Sequence, residues 1–260
     1  VEIRDGQLLA AGKHVRLPFD FLVNDDRFRR DGRSRWKSTP VDGWLPTPVG
    51  FCHDHTVSSS NETVWLTYQH LQIHAGLKED CIYDDIPFNR SEQREMLPAR
   101  EVTVEGRFTM HAEGELILRF VDAEQQEHRL VVDASRQEAR SADHRRPLPP
   151  LKNLRFSLQH RDSQLTFRLD RDAILTTSTS SQRGGRFSLG ARGGRVDVAQ
   201  LMVRRAASMA SQPGQRVKAA SWQLGDDEFF VLGDNCPVSR DSREFSAISR
   251  QDIVGFVRPR

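Results

Sequence analysis

"NLRFSLQHRDSQLTFRLDRDAIL", Asn153 to Leu175, is the stretch on which the fold class turns. Apolar and polar residues alternate through Leu154, Phe156 and Leu158, and again through Leu165, Phe167 and Leu169. A period of two puts successive side chains on opposite faces of a strand, and Asp162-Ser163 between the two runs is turn chemistry. The stretch therefore predicts two antiparallel strands joined through Asp162-Ser163. Similar runs lie on both sides: "ETVWLTYQHLQIH", "EVTVEGRFTM", "GELILRFVDA" and "EHRLVVDAS" before it, "GRFSLGARG" and "GRVDVAQLMVRR" after it. Turn signals separate them at intervals of about eight to twelve residues, the spacing of an antiparallel β-sandwich. None of these runs shows a 3.6-residue apolar period. The expectation is an all-β chain with a sandwich over 61–205. The order of its strands resembles a concanavalin- or laminin-G-like jelly roll.

The flanks differ in texture. Val1–Gly12, "VEIRDGQLLAAG", reads as a strand, an Asp5-Gly6 turn and a second strand. Residues 13–60 are polar and irregular, with the charged run "NDDRFRRDGRSRWK" and two prolines in "GWLPTPVG", and read as long loops with one or two short strands. Residues 206–215 are small, polar and marked by Pro and Gly, as a linker is. Residues 216–260 return to strands in "RVKAASWQL", "EFFVLG" and "DIVGFVRPR". Two short β pieces thus flank a large insert, the layout of a split domain whose halves pair around an insertion.

Composition narrows the function classes. The formal charge is +2 over 260 residues, so bulk electrostatics favours neither nucleic acid nor a membrane surface. Most of the positive charge is arginine, and lysine occurs only at Lys13, Lys37, Lys78, Lys152 and Lys218. Cys52, Cys81 and Cys236 are too few and too irregular for a disulfide framework or a zinc ribbon, and a Cys52–Cys81 bridge is left open. No run reaches the eighteen or so apolar residues of a membrane span, and no signal peptide is visible. The chain opens with Val1 in what reads as mid-sheet, so its N-terminus is expected to be a cut end with any anchor before it.

"GDNCPVSRDSR", Gly233 to Arg243, carries the chemistry. A plain turn needs a Gly and an Asn or Asp, not a further cluster of hydroxyl, carboxylate and guanidinium groups. The stretch closely resembles the C-terminal signature of the bacterial type I signal peptidases: G-D-N, three variable residues, S, one variable residue, then D-S-R. Gly233, Asp234, Asn235, Ser239, Asp241, Ser242 and Arg243 all fall on that pattern. The motif follows the apolar "EFFVLG" and precedes "DIVGFVRPR", similar to the family's closing strand. Val1–Gly12 resembles the strand that follows the family's lysine-bearing segment. Sandwich inserts between the two parts resemble planctomycete-like versions of the enzyme.

The resemblance implies a serine endopeptidase that removes signal peptides from secretory preproteins at the outer face of the cytoplasmic membrane. Its chemistry uses a serine nucleophile and a lysine general base, with no cofactor. A lysine serves as a base only if its pKa falls far below about 10.4, which burial can bring about. By resemblance Ser239 hydrogen-bonds that lysine, Asp241 and Arg243 form a buried ion pair that holds the loop, and Gly233 allows close backbone approach. The nucleophile and the lysine themselves are expected upstream of Val1, so this chain alone is expected to be inactive.

Weaker signals remain. Ser208-Met209 with Lys218 imitates a serine–lysine pair, but its proline stands four residues after the Met, not two, and it follows the insert. His53 and His55 in "FCHDHTV" have the spacing of metal ligands on one strand face; a solvated loop is the plainer reading. Asp84–Asn89, "DDIPFN", has the adjacent acids of a calcium site or of an ordinary turn. Arg145-Arg146 and Arg204-Arg205 read as solvated faces, and Cys236 as an inert loop thiol. The alternative function is a β-sandwich binding module, for glycan or protein, on a peptidase scaffold without activity; a second rival is a processing-inactive structural subunit.

Overall fold

The structure, a computed structural model, describes residues 1–4, 7–15, 20–26, 34–55, 62–72, 76–83, 98–111, 113–142, 144–170, 172–181, 184–206, 220–233 and 239–255. It is built of antiparallel strands and divides into two compact units. The larger unit takes its residues from Asp20–Pro87 and Leu97–Ala206. In it Leu154–Arg161 and Gln164–Leu169 form the hairpin read from the sequence, in register from Phe156 opposite Leu169 to Arg161 opposite Gln164. Asp162 and Ser163 lie at φ 49° and 59°. Two successive left-handed residues twist a tight turn in the sense that suits the strands it joins, and Asp tolerates that conformation better than most residues.

That hairpin belongs to an eight-stranded sheet. Its order is Asp172–Ser178, Gln164–Leu169, Leu154–Arg161, Val102–Met110, Arg195–Ala206, Gly50–Asp54 and Leu45–Thr47, with Asp20–Asp25 also pairing to Arg195–Ala206. A seven-stranded sheet runs Arg145–Pro147, Glu138–Arg140, Glu127–Asp133, Glu115–Val121, Arg186–Arg192, Val64–Tyr68 and Trp36–Thr39. Alternation decides which side chains turn inward. Val104, Phe108, Phe156 and Phe167 from the first sheet and Leu118, Phe120, Leu130 and Leu189 from the second share one buried cluster. Phe120 stacks on the His160 ring across the two sheets at 4.7 Å. The result is a sandwich, two sheets with their apolar faces together.

The segment 13–60, read as mainly loops, instead contributes strands at Lys13–His14, Asp20–Asp25, Trp36–Thr39, Leu45–Thr47 and Gly50–Asp54. Its pieces from Asp20 onward belong to the sandwich unit, which therefore reaches beyond 61–205 at its N-terminal side. No alternating run marks these strands in the sequence; single large side chains anchor the region instead, with Trp36 and Phe51 buried in strands and Trp44 buried just before Leu45–Thr47. Pro46 sits in the edge strand, where a missing N–H leaves no ladder bond unmade. Arg204-Arg205 also departs from its reading. Arg204 reaches Glu105 on the sheet's outer face, whereas Arg205 is 3% exposed.

The second unit takes its described residues from both ends of the chain. Glu2–Arg4 pairs with Gln7–Ala10 on one side and with Ala220–Ser221 on the other, and Lys13–His14 completes the sheet. The Trp222 N–H extends the pairing to the Val1 carbonyl at 2.8 Å. The two terminal pieces thus form one sheet; the Asp5-Gly6 turn lies outside the described residues. Glu228–Phe229 pairs with Ile248–Ser249 in a small separate ladder. Three strands expected here are shorter than read. Only Ala220–Ser221 of "RVKAASWQL" is strand among the described residues, "EFFVLG" leaves the ladder after Phe229, and "DIVGFVRPR" begins in a 3₁₀ turn at Arg250–Asp252. Ile253–Gly255 are not strand, and 256–260 lie outside the described residues. Among the described residues no helix is long and apolar enough to cross a membrane.

Burial assigns opposite roles to neighbours on Gln164–Leu169. Phe167→Ala, at a fully buried position, is expected to cost about 3–5 kcal/mol of stability in urea denaturation. Thr166→Ala on the other face should stay within about 0.5 kcal/mol. Comparable losses for the two would overturn the inward and outward assignment.

Candidate functional site

After Phe229 the chain turns from its strand partner to the segment 239–243, which supplies its hydrogen bonds instead. The Ser242 N–H donates to the Val231 carbonyl at 3.0 Å, and the Val231 N–H donates to the Ser242 hydroxyl at 2.9 Å. One serine thereby does for Val231 what a paired strand residue would do, and a hydroxyl takes the place of a carbonyl. Ser242 is fully buried, so neither bond is open to exchange with water.

Asp241 stands at the head of the single helical turn Ser242–Phe245 with extended backbone, φ −147° and ψ −166°. Its carboxylate accepts from the Arg243 backbone N–H at 3.1 Å, the bond of an N-cap. The same carboxylate accepts from Arg243 Nε at 2.8 Å on Oδ1 and from Nη2 at 2.6 Å on Oδ2. A fourth donor, the Gly233 N–H, reaches Oδ2 at 3.0 Å. The ion pair is buried, with side-chain exposures of 3% for Asp241 and 1% for Arg243. Burial pushes the Asp241 carboxyl up, but the guanidinium bonds and the two backbone N–H donors outweigh it and hold the group below the ordinary carboxylate range.

Gly233 brings the two segments into contact. A Cβ built there would lie 2.2 Å from Ser239 Oγ and 2.4 Å from Ser239 Cβ. The glycine is required by close approach, since any side chain would displace Ser239. Ser239, Asp241, Ser242 and Arg243 are therefore brought together with Gly233. Asp234, Asn235 and Cys236 lie outside the described residues, as do Ser208, Met209 and Lys218. Sequence reasoning missed Val231, whose contribution is made wholly by its backbone and leaves no mark in residue type. The cluster places the Ser239 hydroxyl against Gly233, beside a buried ion pair.

The weaker candidates resolve differently. Cys52 and Cys81 are free thiols. Burial raises the Cys52 thiol to about 11, aided by its bond to Asp197, which makes it a poor nucleophile at neutral pH. His53 turns into the core beside Trp44 and donates from Nδ1 to the Gly43 carbonyl at 2.8 Å. Among the described residues no group of three or more His, Cys, Asp or Glu is placed to hold a metal ion. Asp84–Asn89 lies outside the described residues.

Residues 188–260, just over a quarter of the chain, match the family model described as signal peptidase, peptidase S26. No curated protein shows significant sequence similarity to the chain. Among solved structures, a carbohydrate-binding module from Bacillus subtilis aligns at 13% identity and TM-score 0.43, covering 66% of this chain and 96% of its own. The Crh5 transglycosylase in complex with NAG aligns at 9% identity and TM-score 0.47, with 73% and 87% covered. A Bacillus subtilis protein with a galectin-like fold aligns at 9% identity and TM-score 0.43, with 72% and 99% covered.

The Asp241–Arg243 pair makes a signed prediction. The folded carboxyl titrates below its unfolded value, so its stabilisation is complete above about pH 4 and is lost as pH falls through the folded value. Arg243→Ala leaves a buried unpaired carboxylate and should cost about 3–5 kcal/mol locally at pH 7. Hydrogen exchange of the Gly233 and Ser242 amides reads this loop and not the sandwich. The protection factors of those amides, taken against the intrinsic rate at each pH, should fall in the variant, and fall in the parent below about pH 4. Unchanged protection in both cases would remove the pair from its structural role.

Proposed function

We propose that residues 233–243 are the supporting part of the active site of a signal-peptidase-type serine endopeptidase. In this reading the enzyme cleaves signal peptides from secretory preproteins at the extracytoplasmic face of the cytoplasmic membrane. The observation that carries it is Ser239, packed against Gly233 in a loop locked by the buried Asp241–Arg243 pair. This cluster falls inside the segment matched by the peptidase S26 model. The serine nucleophile and the lysine base come from sequence N-terminal to Val1, together with the membrane anchor, and the sandwich is an insert of the planctomycete-like kind. Asp234 and Asn235 belong to the same sequence motif.

The chemistry follows from the roles. A neutral lysine amine must point at the serine hydroxyl to take its proton, and an amine on a four-carbon stem has many other orientations available. A hydroxyl held by its own loop selects among them. Asp241 and Arg243 act one step further out, fixing the loop that carries Ser239, and Ser242 ties that loop to Val231.

The test uses the reading frame extended upstream until it includes the serine and lysine, assayed for cleavage of a preprotein. The extended protein should cleave and the 260-residue chain should not. Ser239→Ala should lower kcat roughly tenfold to a hundredfold, part of the 10²–10⁴ that a positioned base contributes. KM should change little, and Ser239→Thr should recover part of the loss. An extended protein that carries both residues yet does not cleave would identify a scaffold without activity.

A further inference from the structure

The outer face of the eight-stranded sheet carries a charge pattern that the peptidase reading does not use. Glu105 on Val102–Met110 is buried at its centre, and both its oxygens are taken. Arg155 Nη2 donates to Oε2 at 2.6 Å and Arg204 Nε to Oε1 at 2.8 Å. Burial pushes this carboxyl up, but the two arginines outweigh it and keep the group ionised. Two further arginines share the face without drawing on that carboxylate. Arg107 stands directly opposite Arg155 across the ladder and places one N–H on the Asn153 carbonyl at 2.9 Å. Arg168 is in line with Glu105 through Ser157 on the strand between them. Four guanidinium groups thus surround one carboxylate over four adjacent strands, about 15 Å at the usual strand spacing. Their heads remain accessible: the side chains of Arg155 and Arg204 are 57% and 37% exposed.

Beside the arginines runs a row of neutral hydrogen-bonding groups. Arg204 pairs with Thr103, Thr103 with Gln159, Gln159 with Thr166 and Thr166 with Thr176, so hydroxyl, amide, hydroxyl and hydroxyl lie side by side across the sheet. We propose that this face docks an acidic polysaccharide, with Arg107, Arg155, Arg168 and Arg204 receiving its anionic groups and the threonine–glutamine row receiving its hydroxyls. Planar guanidinium groups bind carboxylate and sulfate in two-point contacts. The neutral row is what favours a sugar polymer over an acidic peptide, whose anionic side chains offer it no hydroxyls. The sandwich would then hold the protein against an anionic glycan layer, a role separate from peptide cleavage.

The test measures binding of the 260-residue protein by calorimetry to polygalacturonate, dextran sulfate, neutral dextran and polyglutamate. The first two distinguish carboxylate from sulfate as the anionic group. At least one of them should bind more tightly than polyglutamate, neutral dextran should bind least, and added salt should weaken the complex. Arg107→Gln with Arg168→Gln spares the Glu105 network and should weaken binding about tenfold or more. Arg168→Gln alone repeats the measurement if the double variant melts early. Failure of both acidic glycans to bind overturns the proposal. So does equal binding of polyglutamate, or unchanged affinity in a variant that melts like the parent.

Discussion

Strand Arg195–Ala206 donates and accepts along both its edges: to Val102–Met110 on one side, and to Gly50–Asp54 and then Asp20–Asp25 on the other. Removing it would be costly, because a buried amide without a partner costs about 1–3 kcal/mol and this strand satisfies neighbours on both sides. Its inward residues Val196, Val198, Leu201 and Val203 are all buried in the shared core. The alternation is interrupted once, where the register with Val102–Met110 shifts between Glu105 and Arg107 and Gln200 takes a left-handed φ of 54°. Gly106 lies inside that shift, and a Cβ there would press on Leu201, the Ala199 carbonyl and Phe156 within about 3 Å. The bulge is thus what allows one long strand to keep an apolar face inward while Glu105 and Arg204 meet outside.

The C-terminal loop obeys the opposite economy. In the sandwich, order comes from many weak apolar contacts; between Phe230 and Arg243 it comes from a few strong polar ones. A buried ion pair is no bargain as stability goes, since desolvation offsets most of its attraction. It does impose geometry. The Asp241 carboxylate takes four donors, two from one guanidinium and two from backbone, and so fixes Gly233, Arg243 and the helical turn in one arrangement. An apolar cluster of the same volume could fill the space, but it could not fix the Gly233 and Arg243 amides by directional bonds.

How far this could be read from residue types depended on the kind of force involved. The hairpin through Asp162-Ser163 was legible because alternation and turn chemistry are both written in single residues. The strands of 13–60 were not, since Trp36, Trp44 and Phe51 are single buried anchors with no alternating run of apolar residues around them. The motif residues Gly233, Ser239, Asp241, Ser242 and Arg243 were legible through their spacing, and the structure puts all five in one loop. What spacing did not convey is how they connect. "EFFVLG" looks like a full strand because its residues are apolar, yet beyond Phe229 the Val231 backbone bonds to Ser242 and the Gly233 N–H to Asp241, and residue type at Val231 and Gly233 does not tell where their backbone groups bond.

The loop is held by its own polar groups. Bonds within 231–243 hold it: Val231 with Ser242, Gly233 with Asp241, Asp241 with Arg243. None of them draws on a nucleophile or a base. If the loop has the supporting role proposed, those groups find the geometry already made and do not have to organise it. That is the condition under which a positioned hydroxyl is useful, because the entropy of ordering has been met by the fold and not by the reacting groups.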